Sequence, residues 1–202
     1  MSPKKRRKFK RPLSKRRYRK VFVLATEGSK TESQYFEIFK DQNLVVHIEL
    51  LKKKGDSAPP QVLKRMRKYL KREDLKSSDE AWLVVDKDQW TDEQLLQLHK
   101  WAQEADNYGF ALSNPKFEFW LLLHFEDGDG ANNSKTCSQR LERHMPGYDK
   151  GIDVRGISDD MIKEAVERAK KRDTPACHDW PRNTGTTVYR LVESILKSRS
   201  NQ

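Results

Sequence analysis

At 202 residues, with 35% hydrophobic and 35% charged positions, the chain has room for one domain of ordinary size, and this composition would fit disorder only if the apolar residues lacked periodicity. The formal net charge of +11 is concentrated in residues 1–20, which carry twelve Lys or Arg and no acid and leave 29 bases against 30 acids for the rest. No stretch approaches the roughly 18 to 20 apolar residues of a membrane span, so a membrane protein is excluded, as is a fold that is basic throughout.

Residues 1–19 read as a disordered basic tail ahead of a single domain over 20–202. Lys4, Lys5, Arg6 and Arg7, then Arg16 and Arg17, repel one another and attract polyphosphate through counterion release. The alternative is a solubilising leader with no specific partner. No apolar segment follows of the kind a secretory signal needs. Cys137 and Cys177 lack C-x-x-C spacing, which suits reduced thiols in the cytoplasm, and Cys177-His178 has no partner at structural-zinc spacing.

Lys20 to Ala25, KVFVLA, is nearly continuous in hydrophobicity, as a strand buried on both faces of a parallel sheet must be. It ends in Thr26-Glu27-Gly28-Ser29, and Thr31 to Lys40 then places Tyr35, Phe36, Ile38 and Phe39 at helical spacing. Val45 to Leu51 is a second strand. The stretch through Lys52 to Lys54, Gly55, Pro59 and Pro60 reads as an irregular loop. After it, Val62, Leu63, Met66, Tyr69 and Leu70 form an apolar stripe on a helix whose remaining face carries Lys64, Arg65, Arg67, Lys68, Lys71 and Arg72. That basic face meets either nucleic acid or water.

Trp82 to Val85 is a third strand, stopping at Asp86-Lys87-Asp88. Thr91 with Gln94 predicts a capping box for a helix over Asp92 to Asn107. Gly109 to Leu112 is a fourth strand, and Asn114-Pro115 predicts a helix with Asn as N-cap and Pro at its first position. Beyond the polar loop Glu126 to Asn133, helices are expected over Ser138–His144, Ser158–Arg172 and Thr186–Lys197. Strand and helix alternate four times, which predicts an α/β fold with a central parallel sheet of about four strands, helices on its faces and a mostly helical C-terminal part.

Ligands of such sheets collect at the carboxyl ends of the strands. Glu27, Asp86 and Asp88 lie there, and the two aspartates, two residues apart on an extended strand end, share a side. Magnesium binds through one or two carboxylates with waters and phosphate oxygens, so this open cluster suits Mg2+ or Mn2+. The plainer reading makes the aspartates loop polar residues and Glu27 a helix cap. Lys87 either steadies a phosphate or offsets the repulsion of its neighbours, and Lys30 joins it as a candidate nucleic-acid contact. Glu32 reads as a helix-surface acid, His124 as a satisfied, half-buried histidine, and the five scattered tryptophans as packing.

Thr26-Glu27-Gly28-Ser29-Lys30-Thr31-Glu32, Val84-Val85-Asp86-Lys87-Asp88 and the segment from Ser113-Asn114-Pro115 to His124-Phe125 resemble the elements of Toprim-type nucleases, and within them the RloB-like family of bacterial defence loci. Asn183 to Leu191 matches a closing N-P-x-T element imperfectly, with Thr184 in the proline position. The resemblance implies a Toprim-like fold and a metal-dependent nuclease acting on RNA, tRNA included, or DNA. It also implies an AAA/ABC-type ATPase partner and a role in anti-phage abortive infection. In it Glu27 is a general acid/base or metal ligand, and Asp86 and Asp88 are the metal ligands. Glu118, one turn into the helix after Asn114, would turn back to complete a second metal site; otherwise it complements that helix's dipole. A non-catalytic nucleic-acid-binding module and a primase-like nucleotidyl transferase are the competing readings, the latter with the same acids.

Overall fold

The computed structural model describes residues 20–28, 30–40, 46–51, 58–87, 90–149 and 151–200; the basic tail and Asp88 lie outside them. Strand β1 (Lys20–Thr26) leads to α1 (Thr31–Glu37), β2 (Val46–Leu50), α2 (Pro59–Leu70), β3 (Glu80–Asp86), α3 (Asp92–Ala102) and β4 (Tyr108–Asn114). The C-terminal part adds α4 (Phe117–Leu122), α5 (Ser134–His144), α6 (Asp159–Arg172), a two-residue strand β5 (Gly185–Thr186) and α7 (Val188–Ser200). The sheet order is β2-β1-β3-β4-β5, with β1 to β4 parallel and β5 antiparallel to β4. This is the expected mostly parallel α/β sheet, consistent with a Toprim-like fold, with one short strand more than the sequence suggested.

Two cores follow from the two-residue alternation of the strands. Phe22, Leu24, Val84 and Ala111 face α1 and α4 to α7, while Val23, Ala25, Leu83, Val85 and Leu112 face α2 and α3. Phe22 to Ala25 are wholly buried, which is why their hydrophobicity runs on without a polar break. Because α1 leaves β1 on one face and α3 leaves β3 on the other, the chain diverges between these neighbours and opens a crevice at their carboxyl ends.

Two local expectations are corrected. Pro59 and Pro60 do not prolong a loop; they are the first residues of α2, where a missing N–H costs nothing because the first turn has no intrahelical acceptor for it. Asn114 is not an N-cap but the last residue of β4, joined to Pro115 by a cis peptide. Its side-chain amide donates to the carbonyls of Pro181 and Arg182 at 3.1 Å each, and α4 begins only at Phe117, after Lys116 with no side-chain cap. The Thr91–Gln94 capping box is present as expected.

Gly109 sits opposite Trp82 across the β3–β4 pair. A Cβ there would fall 2.4 Å from Cδ2 and Cε3 of the indole, and Trp82 is tethered by its own N–H to Glu80 Oε2 at 2.7 Å. Gly109→Ala is expected to destabilise the fold by about 1–3 kcal/mol through overpacking, measured by urea unfolding, and a second change Trp82→Leu should recover part of that loss.

Candidate active site

The crevice between β1 and β3 is held by backbone pairing that runs past the end of β1: the Glu27 N–H donates to the Val84 carbonyl at 2.9 Å. The turn that follows is tied by Thr26 Oγ1 donating to the Gly28 carbonyl at 2.8 Å. Glu27 therefore projects from a fixed backbone. Its Oε2 accepts the Asp86 backbone N–H at 3.1 Å and its Oε1 accepts the Trp90 indole N–H at 2.9 Å. Both carboxylate oxygens point across to the end of β3, so Glu27 does not cap α1.

Glu32 is not the surface acid its position suggests. It is only 4% exposed, and its Oε1 accepts the Gly28 N–H at 2.7 Å, closing the turn that carries Glu27. A Cβ at position 28 would lie 1.9 Å from Glu32 Oε2, so a larger residue would push the Glu32 carboxylate off this bond. Helix α1 starts at Thr31 with Lys30 as its N-cap and no side-chain cap, so Glu32 is not in a capping-box position, and no short motif announces its bond to Gly28.

Asp86 stands next to this pair at the end of β3. Burial first, then the charges of Glu32, Glu118 and Glu27, push its carboxyl well above the ordinary carboxylate range, against a lowering contribution from the Phe117 backbone amide. Glu32 is raised too, chiefly by burial, with Glu118 and Glu27 adding to it. Glu118, from the first turn of α4, adds its charge to both. The cation nearest to it is Lys116, 3.8 Å from Glu118 Oε1 and also donating to Ser138 Oγ at 2.6 Å. The structure brings together Glu27, Asp86 and Glu118 of the expected set, and adds Glu32.

The remaining candidates are placed differently. Lys87 turns to Asp92 Oδ1 at 2.6 Å and the Trp90 carbonyl at 3.1 Å, so it braces the turn that presents Trp90. Lys30 is exposed at the start of α1. Asp88 and the basic residues Lys4, Lys5, Arg6, Arg7, Arg16 and Arg17 lie outside the described residues. Trp90, one of five tryptophans read as packing, instead orients Glu27; no sequence rule distinguishes an indole that donates to a carboxylate from one that fills a core.

His124 is buried. Its Nδ1 lies 3.1 Å from the Trp120 carbonyl and Nε2 3.1 Å from the Tyr35 hydroxyl. A carbonyl can only accept, so Nδ1 carries the proton and Tyr35 donates to Nε2. Burial pulls its pKa down to about 4, which makes it a neutral structural residue and not a base.

An all-oxygen donor set at a switch point is hard-cation chemistry. Among the described residues no three His, Cys, Asp or Glu side chains are grouped so as to hold one ion, but magnesium needs only one or two carboxylates beside waters and phosphate oxygens. The raised acids fit such an ion, because Lys116 at Glu118 and the Arg65 charge near Glu32 still leave the carboxyls of Asp86 and Glu32 raised. Beside the acids, Asn114, Asn132, Arg172, Arg182, Asn183 and Thr184 line a polar hollow of about 450 Å3, built where β5 and its preceding turn are stitched to β4.

Residues 22–195 match the model of the family described as RloB-like protein. No curated protein and no solved structure matches the chain.

An acid whose folded pKa exceeds its unfolded value binds more protons when native, so the fold loses stability as pH rises through that interval. In metal-free protein, Asp86→Asn should therefore raise Tm at neutral pH, by about 2–4 °C for each kcal/mol of repulsion relieved. The gain should vanish as pH falls to the ordinary carboxylate range, near 4. His124 works the other way, its stabilisation being lost as pH falls from 6.5 through about 4, but it is common to both proteins and cancels in the difference. Thermal melts in chelator across pH test this.

Proposed function

The chain belongs to the RloB-like family, and on that footing we propose that it is a magnesium-dependent nuclease that hydrolyses phosphodiester bonds in RNA or DNA at the β1/β3 crevice. One observation carries this reading. Glu27 is locked by two N–H donors against the end of β3, where Asp86, Glu32 and Glu118 crowd it at an electrostatic cost. A fold tolerates such an arrangement when a ligand of opposite charge repays it.

Asp86 and Glu118, with Glu27 and the sequence neighbour Asp88, would hold the ion. When bound, magnesium supplies Lewis-acid stabilisation of the phosphoryl oxygens and lowers the pKa of coordinated water. The chain's own contribution is orientation and proton handling. Glu27 accepts the proton of the attacking water as its oxygen bonds to phosphorus, the phosphorus–oxygen bond opposite breaks, and the departing oxygen is protonated by solvent. Trp90 and the Asp86 backbone fix the direction of the Glu27 lone pairs, and Glu32 fixes the turn through Gly28. The family resemblance further supports a bacterial anti-phage setting with an AAA/ABC-type ATPase as partner.

Incubation with tRNA, single-stranded RNA and duplex DNA should give cleavage that requires Mg2+ or Mn2+ and stops in EDTA. Glu27→Gln is expected to slow it by about 10²–10⁴-fold, and Trp90→Phe, which deletes only the donor that aims Glu27, by about 10–100-fold. Cleavage that survives both Glu27→Ala and Asp86→Ala in a folded protein would refute the proposal. Strand extension on adding nucleoside triphosphates would point to a nucleotidyl transferase instead.

A further inference from the structure

Helix α2 covers β1 and β3, and Glu49 of the edge strand β2, in register with Val23 of the α2-facing core, faces the same side half-exposed. Between helix and strand runs a groove of about 590 Å3, lined by Lys64, Arg65, Lys68 and Arg72, by Tyr69, and by the acids Glu49 and Glu73. We propose that this groove binds the phosphate backbone of the single-stranded nucleic acid on its way to the acidic crevice. The inference rests on the nuclease reading and names the path by which its substrate arrives.

Four observations converge on it. The groove opens at the rim that holds the acids, because Arg65 Nη2 donates to the Thr26 carbonyl, one residue before Glu27. Arg65 Nε and Nη1 are buried without a hydrogen-bond partner, donor capacity that a buried guanidinium ordinarily satisfies and that an anion entering the groove would meet. Lys64, Lys68 and Arg72 form no ion pair among the described residues, while Arg67, on the other side of the helix, pairs with Glu104 at 2.9 Å. Four cations against two carboxylates leave the lining positive. Tyr69, half-buried among them, offers a ring on which a base can stack.

The size fixes the form of the ligand. A volume of this order is that of a small-molecule site, room for a few nucleotides of a single strand. The acids at the rim repel phosphate, and a positive track alongside is what brings an anionic strand to them.

The test is fluorescence anisotropy of a labelled single-stranded RNA with the full chain in EDTA, where no cleavage occurs. Lys64→Glu/Lys68→Glu is compared with Lys171→Glu/Lys197→Glu, which makes the same charge change on exposed positions of α6 and α7 and leaves the N-terminal tail untouched. The groove variant should bind at least about ten-fold more weakly than the control, and its plot of log K against log salt should be shallower by about 1.4, the loss of two phosphate contacts. Equal binding by the two variants would overturn the groove while leaving the nuclease reading intact. Groove-dependent binding without any metal-dependent cleavage would sink the nuclease and keep the groove. Poly-glutamate should compete poorly with the RNA; competition equal to that of unlabelled RNA would assign the groove to an acidic peptide.

Discussion

The organisation of this protein turns on negative charge gathered at the carboxyl ends of β1 and β3 and only partly countered there by Lys116 and Arg65. Asp86 and Glu32 are driven up by burial and by their acidic neighbours, and Lys116, the cation at Glu118, is shared with Ser138. Removing an ionised carboxylate from water costs several kcal/mol even after relaxation. A chain that concentrates this cost at the crevice, while the rest of its surface carries ordinary ion pairs, has placed its instability where a cation and a phosphate would relieve it.

The sheet topology makes that concentration possible. Divergence of the chain between β1 and β3 leaves a crevice at their carboxyl ends, bordered at Asp86 by the first residue of α4, Phe117. The Glu27 turn and the Asp86 strand end can then lie within one hydrogen bond of each other although 59 residues separate them. The hydrogen bonds around Glu27 come from N–H donors with fixed positions, one on the backbone and one on an indole. A carboxylate aimed by such donors loses little entropy on engaging a substrate, which is the physical meaning of preorganisation.

Much of this was legible in the sequence because hydrophobic runs and turn chemistry act locally. The unbroken apolar run of β1, the Thr91–Gln94 box and the strand-end acids each declare themselves within a few residues. What was not legible depends on which partner each polar group finds and on where each helix begins. Glu32 lies on a seven-residue helix whose outward face is indistinguishable in sequence from its inward one, and only the Gly28 N–H decides the matter. Asn114 has the side chain of an N-cap, yet it spends that amide on Pro181 and Arg182. Pro59 and Pro60 were misread because paired prolines suggest a break, although the first helical turn has no donor obligation for them to violate.

The C-terminal helices are more than a cover for the second face. Ser113, the last buried residue of β4 and opposite Asp86, bonds its hydroxyl to Thr186 at 2.8 Å, and Thr187 Oγ1 accepts the Leu112 N–H at 2.9 Å. Residues near the end of the chain thus fix the strand that borders the acids, and Asn183 and Thr184 reach the polar hollow beside them. Thr184, standing where the resembling motif has proline, keeps a hydroxyl in that hollow that a proline would lack. The two ends of the crevice consequently differ in chemistry: cations of α2 border it at Thr26, and amides, hydroxyls and paired arginines border it at Asn114. A phosphate backbone is recognised by charge and a base edge by directional hydrogen bonds, so on the proposed nuclease reading a strand lying across the crevice would set its backbone toward α2 and its bases toward β5.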